Sequence, residues 1–264
     1  MSSVRTLAAF GAGLALMGLA GTAPAQQSAP TAQQPAPPAA TAATVAPDAL
    51  QALDKMTAYL RTLQSFELQA QTTRDLVTQD GQRVQLDGVT NYKVRRPAGF
   101  VIEVNSNDRK RTFYYDGKQF TLFAPQLGYY STVDAPPTNI QVLDKIYDKF
   151  GIELPLEDLF RWNDPTNPRR DTLTSGFHVG PATIDGVETE QYAFRGPDAD
   201  WQVWIDKGDK PLPRKVMIVD RTDPAMPAYT ARLNWKLNPT FADADFTFKP
   251  APGAKSIRLT AANP

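Results

Sequence analysis

Hydrophobic and polar positions follow two rhythms along this chain. After Asp48, Leu50, Leu53, Met56, Leu60 and Leu63 recur at helical spacing, and Asp48 with Gln51 makes a capping-box pair. A first helix is therefore expected to open at Asp48. From Ser65 the period becomes two. Phe66, Leu68 and Ala70 alternate with Glu67, Gln69 and Gln71, and Val84, Leu86, Tyr92, Val94, Phe100, Ile102 and Val104 continue the pattern. Such alternation describes antiparallel strands that bury one face. Phe113 and Tyr115 lead into Asp116-Gly117, a two-residue turn signal, and Phe120 and Leu122 lead out of it. Tyr129, Ser131 and Val133 add a strand before Pro136-Pro137 stops the sheet.

Thr138 with Gln141 predicts a second helix, with Ile140, Leu143, Ile146, Tyr147 and Phe150 inward and Gly151 as its stop. Pro155 suits the first turn of a further short helix through Leu159 and Phe160. Strands resume after Asp171, with Phe177 and Val179 before a turn at Asp185-Gly186 and Tyr192 and Phe194 before one near Gly196-Pro197. Trp201, Val203 and Ile205 alternate with Gln202, Trp204 and Asp206, Val216 and Ile218 follow a Pro-bounded turn at 208–213, and Tyr229, Ala231, Leu233, Trp235 and Leu237 alternate with Thr230, Arg232, Asn234 and Lys236. Phe246 and Phe248 read as a closing strand. About ten strands, a leading helix and a helical insertion predict a mainly β chain with helices, of the α+β class. The expected architecture is one curved antiparallel sheet, an incomplete β-barrel, with helices on its concave face. Nothing linker-like divides residues 48–262, so they are expected to form a single domain.

Upstream of this domain the composition changes. Arg5, the apolar run Leu7 to Ala20 and the small-x-small site Ala23-Pro24-Ala25 mark residues 1–25 as a cleavable signal peptide, with export to the periplasm. The run falls short of the roughly 20 apolar residues that a spanning helix needs, so no membrane-spanning segment is expected. Residues 26–47 hold only Ala, Pro, Gln, Ser, Thr and Val, and read as a flexible linker. With no cysteine, disulfides, thiol catalysis and thiolate metal sites are excluded. Lysine plus arginine and aspartate plus glutamate each total 28, which lacks the basic excess of a nucleic-acid binder. Arg95-Arg96 and Arg109-Lys110-Arg111 are the candidate basic patches and read as solvated strand ends and turns.

The catalytic inventory is thin. His178 is the sole histidine, too few for a usual zinc site or a Ser-His-Asp arrangement. Ser175-Gly176 lacks the upstream glycine of a nucleophile elbow, and the carboxylates of Asp206 to Lys210 are spaced wrongly for a calcium loop. Glu153, Glu157 and Asp158 could supply an acid–base pair, but helix N-terminal charge complementarity explains them without chemistry. No catalytic residue, metal or cofactor is expected. The positive signal is apolar and aromatic, although large rings also simply fill sheets. Candidate cavity residues are Phe66, Leu68, Leu86, Tyr92, Phe100, Ile102, Phe113, Tyr115, Phe120, Leu122, Tyr129, Trp201, Val203, Leu233 and Trp235. Leu143, Ile146 and Phe150 are candidates for a lid over them.

Three segments carry a family resemblance. "TFYYDGKQFTLFAPQLGYYS" resembles the aromatic-D-G-K hairpin of the LolA-type periplasmic lipoprotein carriers. "WQVWIDKGDKPLPRKVMIVD" is similar to their strand-turn-strand, and "FTFKPAPGAKSI" to their closing segment. The likeness runs in order over residues 48–257 and extends to a family of predicted periplasmic proteins sharing that fold. It implies a half-barrel whose hydrophobic cavity receives acyl chains, in a protein that binds or carries a lipid or acylated ligand as a monomer. It also implies an arginine that holds the helical lid, for which Arg74 and Arg83 are the candidates. The Ala/Pro-rich linker departs from those carriers. An envelope protein-interaction or stress-sensing module on the same fold is the alternative, and a hydrolase using Glu157 or Asp158 a third.

Overall fold

The computed structural model describes residues 44–156 and 169–261. The expected signal peptide, linker residues 26–43 and the short helix through Leu159 and Phe160 lie outside the described residues. Helix α1 (Pro47–Thr62) precedes six strands: β1 (Ser65–Val77), β2 (Arg83–Arg95), β3 (Phe100–Ser106), β4 (Lys110–Tyr115), β5 (Gln119–Ala124) and β6 (Tyr129–Asp134). Helix α2 (Asn139–Phe150) follows. Then come β7 (Ser175–Ile184), β8 (Val187–Arg195), β9 (Ala199–Asp206), β10 (Pro213–Asp220), β11 (Ala228–Leu237) and the short β12 (Lys255–Ser256). All twelve strands join one sheet in the order β12-β6-β5-β4-β3-β2-β1-β11-β10-β9-β8-β7. Neighbours run antiparallel except β12, which pairs parallel with β6. The sheet ends at β12 and β7 without their meeting, so it is an open sheet and not a closed barrel.

Register explains which face is buried. Leu68 of β1 pairs with Tyr92 of β2 and Trp235 of β11, and Tyr92 pairs in turn with Ile102 of β3. Ile102 then pairs with Phe113, and Phe113 with Leu122. The period-two positions therefore line up across the sheet on one face, and this inner face joins the buried residues of both helices in one core.

Several local features differ from expectation. Helix α1 begins one residue earlier than Asp48, with Pro47 in its first turn and Ala46 as an N-cap that offers no side chain. Proline is suited to that place because its missing N–H would have no helical partner there. The Asp48 carboxylate instead accepts from the Ala49 N–H at 2.8 Å. Ahead of the helix, Val45 bridges to Gly176 and the Ala46 N–H donates to the Gly176 carbonyl at 2.8 Å. Ala49, Leu53, Met56 and Leu60 form the buried stripe, and Leu50 lies at its margin.

Helix α2 keeps its expected caps: the Thr138 hydroxyl accepts from the Gln141 N–H, and Gly151 takes a left-handed φ of 62°. Its inward stripe is shifted. Val142 and Ile146 are wholly buried, whereas Ile140 and Tyr147 are 42% and 51% exposed. One helix can press only a narrow stripe onto a sheet, and the 142–146 line took that place.

The β4–β5 turn is centred one residue later than Asp116-Gly117. Asp116 flanks it and accepts from the Lys118 and Gln119 amides at 2.9 and 2.8 Å, and Gly117 adopts φ of 94°. Asp185-Gly186, by contrast, sits between paired Ile184 and Val187 with φ of 49° and 80°, the geometry of a tight hairpin. Phe246 and Phe248 do not form a strand. They follow a 3-10 turn at Asp243–Asp245 and pack onto existing surfaces. Phe248 packs against Tyr114, Phe123 and Tyr130 on the outer face at 5.0–5.4 Å between ring centres. Aromatic residues two apart signal burial, but a strand also needs a free edge to pair with.

Asp75 ties three strands together near the far end of β1. Its carboxylate accepts from the Ala228 N–H at 3.0 Å, from Gln85 at 3.3 Å and from Arg83. Burial pushes its pKa up, but the Ala228 N–H and the Arg83 and Gln85 side chains outweigh that and hold it below the ordinary value. The ionised form therefore adds stability above an unfolded pKa of about 3.9, and this is lost as pH falls through the lower folded value. Asp75→Asn is expected to lower the thermal midpoint at pH 7, by on the order of 1 kcal/mol of stability. The gap should narrow between pH 7 and pH 3, as the pH falls below the unfolded value. Thermal melts at both pH values check this, and an equal gap at both would contradict it.

Candidate ligand-binding cleft

The inner face is filled unevenly. Over β3 to β5 the sheet's own rings occupy it: Tyr115 and Phe120 are 0% exposed. Phe100 lies 5.2 Å from Tyr115, and Phe113 lies 6.2 Å from Phe120, between ring centres. Rings of this size pack to crystal-like density and leave little room. Leu68, Val203 and Leu233 are likewise packed core residues. Leu86, Leu122, Trp201 and Trp235 are half-buried, and Tyr129 is 40% exposed at the β6 edge. The broad hollow expected from fifteen residues is thus largely occupied by those residues themselves.

Space remains under α2. A cavity of about 70 Å³ lies between that helix, the segment at Leu154-Pro155 and the sheet. Phe66, Tyr92, Phe100 and Ile102 line it from below, with Val94, and Ile140, Leu143 and Leu154 close it from above. Of the three lid candidates, Leu143 faces this space, Ile146 is buried, and Phe150 packs half-buried against the core. The volume is about a quarter of the roughly 300 Å³ at which ligand pockets begin. An acyl chain could enter only if α2 moved.

Helix α2 is fastened at identifiable points. Asn139 at its start bonds at both ends of its amide: the side-chain oxygen accepts from the Gly99 N–H and the NH2 group donates to the Arg95 carbonyl, each at 3.0 Å. The Lys145 ammonium donates to the Asp134 carbonyl at 2.6 Å. On the far side the Tyr92 hydroxyl donates to the Pro155 carbonyl at 3.0 Å. Burial raises the Tyr92 pKa well above its ordinary value, so this hydroxyl keeps its proton.

Arg96, read from sequence as a solvated strand end, also lines the cleft. Its backbone N–H donates to the Gln64 carbonyl at 2.8 Å, but its side-chain Nε is buried without a hydrogen-bond partner. Arg95 beside it behaves differently, pairing with Asp243 at 2.8 Å and stacking over Phe246. The strand alternation sends one of two adjacent arginines to the inner face and the other outward. That parity was available in the sequence; what was missing was the knowledge that Arg96, the residue just after β2, lies beneath α2.

Residues 49–260 match the family described as "Predicted periplasmic protein (DUF2092)". The chain belongs to this family. No curated protein matches the chain. Among solved structures, Mycobacterium tuberculosis lipoprotein LppX is similar at 13% identity and a TM-score of 0.48, over 74% of this chain and 98% of that one. A LolA superfamily protein from Nitrosomonas europaea is similar at 10% identity and a TM-score of 0.38, over 76% and 97%. A chain of the Pseudomonas aeruginosa MucA/MucB complex gives 13% identity and a TM-score of 0.36, over 80% of this chain and 63% of that one.

The segments that carried the resemblance fall on β4 to β6, on β9 and β10, and on the stretch ending in β12. Neither arginine proposed to hold the lid touches α2. Arg74 pairs with Asp108, and Arg83 pairs with Asp75 and donates to the Ala225 carbonyl at 2.6 Å. Both sit toward the β1–β2 turn, whereas the cleft lies toward the β2–β3 turn, where Arg96 is the arginine present. Other polar features lie elsewhere. His178 pairs with Glu190 at 2.6 Å, and Glu190 with Lys207 at 3.0 Å, on β7 and β8, six strands from β2 at most. Asp206 makes a two-pronged pair with Arg214 across the β9–β10 hairpin. Among the described residues no group of three His, Cys, Asp or Glu could hold a metal, and no helix is long and apolar enough to cross a membrane. Glu157 and Asp158 lie outside the described residues. A larger cavity of about 190 Å³ opens on the outer face beside Phe246–Pro250, but Asp116, Gln119, Thr121 and Thr132 make its lining polar, where an acyl chain gains little.

Proposed function

We propose that this chain is a non-enzymatic periplasmic binder or carrier of an acyl-chain ligand, exported by removal of residues 1–25. The observation that supports it is the cleft under α2, where Phe66, Tyr92, Val94, Phe100, Ile102, Leu143 and Leu154 present an apolar lining to a space closed by a short helix. An acyl chain removed from water there gains about 0.8 kcal/mol per methylene. The lid that must move is one helix outside the strand ladder, so its displacement leaves the strand pairing intact. Family membership accords with the periplasmic assignment.

Protein recognition is the second reading, favoured by the β7 edge, where Phe177 and Val179 are 52% and 48% exposed. The irregularity between His178 and Gly180 and the presence of Pro181 interrupt that edge and oppose a long added strand. The acyl reading is therefore preferred.

Titration with a fluorescent fatty acid tests it. Trp235 lies 5.4 Å from Phe66 of the cleft, between ring centres, and so reports on occupancy. Saturable uptake with one site per chain and quenching of Trp235 is the expected result. A flat titration up to about 100 μM ligand, weaker than roughly −5.5 kcal/mol, would sink the reading.

A further inference from the structure

We infer that the ligand of the cleft carries an oxyanion headgroup, carboxylate or phosphate, that ion-pairs with Arg96. This rests on the acyl-chain reading above and narrows the ligand to an anionic amphiphile.

Three observations carry it. First, Arg96 lines a cleft whose other walls are almost wholly apolar. Second, its Nε is buried and has no hydrogen-bond partner, and among the described residues it makes no ion pair. Buried charges are normally paired, because a charge withdrawn from water without a counter-charge is costly. A guanidinium whose Nε–H is buried and unpaired beside a cavity is thus placed to meet an acceptor, and its planar fork matches two oxygens of a carboxylate or phosphate. Third, Arg96 is the one charged side chain among the described residues that line the cleft. Asn139 beside it bonds Gly99 and Arg95 through the two ends of its amide and carries no charge to pair with a headgroup.

The surroundings agree. Burial, and after it the charge of Arg61 in the last turn of α1, pulls the Arg96 pKa below the ordinary arginine value. A second positive charge near the same point raises the local potential and favours an anion. The guanidinium stays protonated at neutral pH, since arginine starts so high. A bound oxyanion would relieve the burial cost and the repulsion together, while the chain extends over Val94, Phe100 and Ile102.

The test compares three twelve-carbon ligands on the full chain: laurate, dodecyl phosphate and dodecanol. Calorimetry on the wild type is expected to show at least one of the two anions binding about tenfold or more tighter than dodecanol, the scale of a charged hydrogen bond. Which anion is the tighter separates a fatty-acid headgroup from a phosphate one. In Arg96→Met the preference for the anions over dodecanol should vanish. Arg96→Lys, which keeps the charge without the fork, should retain part of it, and thermal melts establish that both variants fold. Equal binding of all three ligands to the wild type overturns the inference but leaves the acyl-chain reading standing. A preference that persists in Arg96→Met overturns it as well. Failure of all three to bind sinks both.

Discussion

Under the proposed function, saturated fatty acids shorter than about eight carbons are expected to leave the protein unoccupied, and beyond that length each added methylene is expected to tighten binding about fourfold. The reason lies in what the lid covers. Moving α2 and the segment after it exposes Val142 and Ile146, each 0% exposed, and Leu154, 3% exposed. At about 1.5–3 kcal/mol for each buried side chain, opening costs roughly 5–9 kcal/mol. A chain burying about 0.8 kcal/mol per methylene offsets that only with some six to eleven of them. Short acids lose and long ones win. Calorimetry with acids of six, ten, fourteen and eighteen carbons reads the slope directly. An affinity that does not depend on length would mean that the chain is not held in the cleft at all.

Phe120→Ala should be the most damaging single change among the fifteen residues proposed from sequence. Phe120 is fully buried and contacts Phe113 and Phe100 at 6.2 and 6.5 Å between ring centres. Its truncation leaves a cavity that close-packed neighbours cannot refill, at about 3–5 kcal/mol. For a domain of this size that is a fall of roughly 6–20 °C in Tm. Tyr129→Ala, at the 40% exposed end of the same face, should stay within about 0.5 kcal/mol of wild type. Parallel thermal melts separate the two. A Phe120→Ala protein that melted like wild type would show that the centre of the inner face is ligand space and not core.

Much of the fold was legible because its signals are local. Phe66-Leu68-Ala70 and Tyr229 to Leu237 each state their own alternation, and Thr138, Gln141 and Gly151 mark the ends of α2 without reference to anything distant. Misreadings arose where a partner far along the chain decided the outcome. Phe246 and Phe248 have strand-like spacing, but β12, after them, takes the open edge beside β6 while they dock on faces. Val142 replaced Ile140 on the inward stripe because the helix meets the sheet along one line only. The candidate site was legible as a face and illegible as a volume. Among its strand residues, Phe66, Tyr92, Phe100 and Ile102 border the cleft under α2.

The sequence by itself determined the sheet: which residues alternate, where the two helices lie, and that a chain with one histidine and no cysteine offers few catalytic or metal-binding options. Only the tertiary structure decided how much room is left between sheet and helices, and that Arg96 rather than Arg74 or Arg83 borders it. Alternation is a property of adjacent residues, set by strand geometry. A cavity is the small difference between the space that distant elements enclose and the volume of the side chains they bring to it.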